Sequence, residues 1–147
     1  MKPAQAPPKG TVIAFDFGSK RIGVAVGHTD VQQASPLQVV RSVHGRPEWE
    51  MIEKLVNEWQ PVAFVVGLPL TEDNTGQPQL ELSAAFAKKL HRKFALPVYR
   101  SDERFSSIEA ASLLAENRRR GKRRKTNRGD TDKIAAALIL DHWFTQR

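Results

Sequence analysis

Three acids stand where elements of structure are expected to end or begin. Asp16 follows the apolar run TVIAF, Glu103 follows LPVYR with Asp102 beside it, and Asp132 opens the run TDKIAAALILDHWF. In a strand, alternate residues share a face, so Asp16 extends the face of Val12 and Ala14 with a single carboxylate. Open sheets place their ligands at the carboxyl ends of strands, where acids from separate elements can converge. Converging carboxylates repel one another, and a hard cation relieves the repulsion. Mg²⁺ suits such a place, because it takes few carboxylates together with water and phosphate oxygens. Each acid also has a local explanation. Asp16 could cap a turn toward Lys20, Glu103 could pair with Arg104, and Asp132 could face a helix dipole, with Asp130 as the capping residue. The combination carries the chemistry.

Other chemistries lack their residues. The chain has no cysteine, which excludes disulfides, thiolate zinc sites, iron–sulfur ligation and a thiol nucleophile. His28, His44, His91 and His142 show no metal-ligand spacing, and no phosphate-loop, dinucleotide or nucleophile-elbow motif occurs. Ser106 and Ser107 have no base close in sequence, and helix capping accounts for Ser106.

The elements that must position the acids can be read from periodicity. Residues 1–10 are rich in Pro and Ala and read as a disordered tail. TVIAFDFG and RIGVAVG form a hairpin turning at Ser19 and Lys20, and SPLQVVRSV supplies a third strand. Trp49, Ile52, Leu55, Val56 and Trp59 share one face of a helix, with Pro47 in its first turn. VAFVVGLP is a continuous apolar run, as a strand covered on both faces requires. Leu82, Ala85, Phe86, Leu90 and Phe94 mark a second helix, and LPVYRSDE a short strand. Ser106 and Glu109 form a capping box for a helix through Ile108, Ala111 and Leu114. A last helix begins near Asp132, where Ala135 and Ala136 are small enough to bring it close to the sheet. Strands alternating with helices imply right-handed crossovers and parallel pairing, while the hairpin adds antiparallel strands. The expectation is one α/β domain over 11–147, with a mixed five-stranded sheet flanked by helices.

Composition agrees with a single domain. The chain has 147 residues and a formal charge of +7. Eight cations and no acid fall within residues 117–129: Arg118, Arg119, Arg120, Lys122, Arg123, Arg124, Lys125 and Arg128. Without them the remainder carries −1. Such a run repels itself, is expected to be a mobile loop, and would bind a polyanion through phosphate contacts without reading sequence. The alternatives are a solvated linker or a membrane surface, the latter disfavoured because no apolar face accompanies the charges. No apolar run approaches the ~20 residues of a membrane span, and the amino-terminal stretch lacks the apolar core of a signal peptide. A cytoplasmic protein with no membrane partner is expected.

Four blocks carry a resemblance across residues 11–144: DFGSKRIGVAVG at 16–27, VVGLPL at 65–70, SDERFSS at 101–107 and DKIAAALIL at 132–140. They resemble the YqgF family, also called RuvX, of the RNase H-like superfold. The resemblance implies a nuclease that matures the 5′ end of pre-16S rRNA, with ribosomal particles as possible partners. The family is also described as Holliday-junction resolvase-like. Its catalytic acids carry over to Asp16, Glu103 and Asp132, the positions already singled out. One departure is the stretch TEDNTGQPQLEL at 71–82, with Gln79 and Leu80 where relatives often carry an arginine.

The expected mechanism is phosphodiester hydrolysis at two Mg²⁺ or Mn²⁺ ions about 3.5–4 Å apart. Asp16 would bridge them, and Glu103 and Asp132 would each hold one side. Lys20 and Arg21 could contact a phosphate, or simply form a solvated turn. Arg104 could orient Glu103 or touch the backbone. The basic run would hold the strand. Two alternatives are cutting of four-way DNA junctions, for which a homodimer rather than a monomer would match the two-fold substrate, and a non-catalytic RNA-binding assembly factor. The DFGS motif also resembles the phosphate loop of actin- and hexokinase-like ATPases, but those need two such domains.

Overall fold

The buried run Thr11–Asp16 forms β1 and pairs with a strand on either side. A computed structural model describes residues 9–18, 20–43, 46–68, 77–102 and 128–145. Within them lie β1, β2 (Arg21–His28), β3 (Gln33–Val43), β4 (Arg46–Pro47), α1 (Trp49–Trp59), β5 (Ala63–Leu68), α2 (Gln77–Phe94), β6 (Val98–Asp102) and α3 (Arg128–Thr145). The sheet order is β4-β3-β2-β1-β5-β6. The first four strands pair antiparallel, while β1–β5 and β5–β6 are parallel.

The sheet therefore has six strands where five were expected. The extra one is the two-residue β4, which pairs with Ser42 and Val43 at the edge. Pro47 lies in it rather than in the first turn of a helix, an edge position that tolerates a missing N–H. α1 starts two residues later.

Alternation along the strands divides the core in two. Ile13, Phe15, Ile22, Val24, Phe64 and Val66 face α1 and α2, meeting Ile52, Leu55, Phe86 and Leu90. Val12, Ala14, Ala63 and Val65 face α3, meeting Ile139, Leu140, Trp143 and Phe144. Burying each such large side chain contributes about 1.5–3 kcal/mol. The tryptophans pack as expected: Trp49 and Trp59 line the first cluster and Trp143 the second.

Two residues of α2 depart from the helical reading. Leu82 and Ala85 are exposed, and Ser83 and Ala87 turn inward with Phe86 and Leu90. Ser83 has a polar reason to be inside. It receives a hydrogen bond from the Arg100 guanidinium at 2.6 Å and donates to the Gly67 carbonyl at 3.3 Å. Arg100 also donates to the Val66 carbonyl at 3.3 Å, tying β6, β5 and α2 together.

α3 starts at Arg128, four residues before Asp132. Asp130 is therefore inside the helix and not its cap, and the last two residues of the expected basic loop have helical backbone. The helix continues amino-terminally through Gly129, a residue that weakens helices without forbidding them. The expected helix at 106–114 lies outside the described residues. Among the described residues, no helix is long and apolar enough to cross a membrane.

Candidate active site

Asp16 ends β1 on the face covered by α3, two residues beyond Ala14. Its cross-strand partner is Gly23. Directly opposed residues of an antiparallel pair have side chains on one side, with Cβ atoms about 4.5–5.5 Å apart. Position 23 has no side chain, and the space is taken by α3. A Cβ there would run into the backbone carbonyl of Asp132 and lie 3.1 Å from the Asp132 Cβ. Asp132 thus occupies the place of a cross-strand neighbour of Asp16. The absence of a side chain at Gly23 seats two acidic residues, 116 positions apart in sequence, on one face of the sheet end.

The rest of α3 is seated by the same device. Ala25 meets Ala136 and Ala137. A Cβ at Gly27 would lie 2.9 Å from the Phe144 ring and 3.1 Å from Leu140. Farther along, the Ala34 amide donates to Asp141 at 2.9 Å, and Trp143 stacks on Tyr99 with ring centroids 5.3 Å apart. The expectation that Ala135 and Ala136 let the helix approach holds, and both are buried.

Arg21 opens β2 on the same face. Its Nε donates to Asp132 Oδ2 at 2.7 Å, with the two side chains 35% and 24% exposed. Arg21 therefore orients a carboxylate, a contact between residues 111 positions apart that no local pattern announces. Lys20 is exposed in the preceding turn, and its carbonyl accepts from the Ser42 amide at 3.0 Å.

β6 delivers the third acid's neighbourhood. Gly67 pairs with Ser101, and Tyr99 packs in the α3-side cluster. By alternation Ser101 shares that side. It is 2% exposed, and its hydroxyl has no hydrogen-bond partner among the described residues. Glu103 and Arg104 follow immediately but lie outside the described residues, as do Arg118, Arg119, Arg120, Lys122, Arg123, Arg124 and Lys125. Arg128 contributes its backbone to α3.

Asp16 and Asp132 offer oxygen donors only, at a partly solvent-accessible strand end. That donor set fits Mg²⁺ or Mn²⁺, which are held by one or two carboxylates with water and phosphate oxygens completing the shell. Among the described residues no cluster of three potential metal ligands occurs. The sequence signal for this approach is Gly23 itself, since a glycine inside a strand marks the close approach of another backbone.

The family model described as "RuvX: Holliday junction resolvase" matches residues 10–146. The chain belongs to the RuvX family. Its RuvX relatives include proteins of Cronobacter sakazakii and Salmonella typhimurium, both named "Putative pre-16S rRNA nuclease". Each is 44% identical over 137 residues, covering 93% of this chain and 97% of the relative. Among solved structures, Thermus thermophilus RuvC in complex with a Holliday junction substrate aligns with a TM-score of 0.58 at 18% identity, covering 93% of this chain and 95% of that one. The yeast mitochondrial Holliday junction resolvase Ydc2 aligns with a TM-score of 0.55 at 11% identity, covering 97% of this chain and 80% of that one. At such identities the likeness concerns the fold, which is the expected RNase H-like one. RuvX membership puts the chain among nucleases, hydrolases that act on nucleic acid.

Proposed function

We propose that this RuvX protein is a divalent-metal-dependent phosphodiesterase of the cytoplasm that trims the 5′ end of pre-16S rRNA. The observation that carries the reading is the seat of Asp132 on Gly23, opposite Asp16. The names of the 44% identical relatives supply the substrate. Asp16, Glu103 and Asp132 would hold two Mg²⁺ or Mn²⁺ ions, which when bound supply an activated water and neutralise phosphate oxygens.

The protein's own part is positioning. Asp16 is carried at the partly accessible end of a buried strand and Asp132 by a helix packed along β2, so the backbone that holds each carboxylate is fixed before substrate arrives. Arg21 holds one oxygen of Asp132 and leaves the other available. Lys20, exposed in the turn before β2, would contact a phosphate, and Arg104 would orient Glu103 or touch the backbone. The eight cations of 118–128 would bind the strand through its phosphates.

The test is a parallel assay with Mg²⁺ or Mn²⁺, an end-labelled pre-16S leader RNA and a labelled four-way DNA junction, with Asp16→Asn as control. Metal-dependent cutting of the RNA, absent in the variant, is the expected result. The family description favours one second reading, junction resolution, which symmetric cutting of the DNA would establish. Salt-sensitive binding without cutting of either substrate would identify an assembly factor instead.

A further inference from the structure

α2 carries two like-charged pairs at helical i, i+4 spacing: Lys89 with Lys93, and Lys88 with Arg92. Like charges so spaced repel one another and weaken a helix. The first pair is compensated. Lys89 and Lys93 lie over the Trp49 ring, 5.7 and 5.2 Å from its centroid, and Lys93 reaches Glu53 at 3.8 Å. The second pair is not. Lys88 and Arg92 are exposed and have no ion pair among the described residues. Both line a groove of about 700 Å³ between α2 and the edge strand β6, with His91 and Arg100 on the same walls and no acid. The helix dipole favours cations in the last turn. It explains His91, Arg92 and Lys93 there, but not Lys88 a turn earlier, whereas Arg100 on the neighbouring strand is held by Ser83 and the Val66 carbonyl.

We propose that this groove, on the sheet face opposite Asp16 and Asp132, is a second contact surface for the phosphate backbone of nucleic acid. The inference rests on the reading of the protein as a nucleic-acid enzyme and adds a site remote from cleavage. Charge decides the occupant. A second copy docking here symmetrically would set cations against cations, whereas a phosphate chain supplies the anions that Lys88 and Arg92 lack. Along the helix axis the two residues stand about 6 Å apart, comparable with adjacent phosphates of one strand. The apolar floor of Ala84, Ala87, Pro97 and Val98 would lie against the sugar edge.

The experiment measures binding of a labelled leader RNA to the full-length protein in chelator, where no cutting occurs, across a range of salt. Lys88→Ala/Arg92→Ala is compared with Lys9→Ala/Lys54→Ala, which removes the same charge at exposed positions elsewhere. Two lost phosphate contacts reduce the salt slope by about 1.4, and we expect binding at least tenfold weaker at moderate salt for the groove variant alone. Equal behaviour of the two variants would overturn the groove while leaving the nuclease reading intact. Absence of RNA binding by the unaltered protein would overturn both. A wild-type dimer in sedimentation that the groove variant abolishes would assign the surface to a second copy.

Discussion

Asp132 stands across from Asp16 in the position that a side chain at residue 23 would otherwise fill. The pairing of the two acids is thus a packing result before it is an electrostatic one.

Substituting Gly23 by Ala tests this directly. The new methyl meets the Asp132 backbone, so α3 must lift at its amino-terminal end. Overpacking of this kind costs about 1–3 kcal/mol, which urea unfolding would measure. Gly27→Ala strains the far end of the same helix, against the Gln33 carbonyl and Phe144. It should destabilise comparably. Cleavage should fall far more in Gly23→Ala than in Gly27→Ala, and equal losses would refute the link between Gly23 and the carboxylate pair.

Charge removal separates cutting from holding. Asp16→Asn and Asp132→Asn should each abolish cleavage and leave RNA affinity within about twofold, since binding depends chiefly on cations contacting phosphates. Full activity in either variant would remove that acid from the mechanism.

Arg21→Gln takes away the cation bonded to Asp132. At these exposures the lost pair should cost no more than about 1 kcal/mol of stability. Its effect on metal should be larger. With one positive charge fewer beside the carboxylate, the midpoint of a Mn²⁺ titration, followed by the magnetic resonance of the ion, should move to lower concentration. The maximal rate should fall, because the carboxylate is no longer oriented. An unchanged midpoint would show that Arg21 leaves Asp132 in the working enzyme.

Deleting residues 118–125 removes seven cations. RNA binding should weaken and its salt dependence flatten by several units of slope. A full salt slope in the deletion would assign binding to other surfaces, the α2 groove first among them.

Much of this was legible because β1 is written plainly: an unbroken apolar run ending in one acid leaves little choice of face for Asp16. The same holds for β5, and for the Ala-rich stretch that seats α3. The start of α3 was not legible, since Gly129 and a dense run of cations read as loop. Leu82 and Ala85 have helical spacing and apolar character, yet they face outward and Ser83 takes the inward place, where it accepts a hydrogen bond from Arg100 of a distant strand. The Arg21–Asp132 pair joins opposite ends of the chain, and helical periodicity says nothing about which cations will lie over a tryptophan ring of another helix. Each missed feature depends on a residue far away in sequence.

α3 also behaves as a ruler. Its far end is pinned by Asp141, Trp143 and Phe144, and its near end presents Asp132, so the helical length between them sets where the carboxylate points. Each added or lost residue would turn Asp132 by about 100° around the helix axis. A single-residue insertion or deletion between Asp132 and Asp141 would therefore swing the acid away from its partner with every functional residue still present.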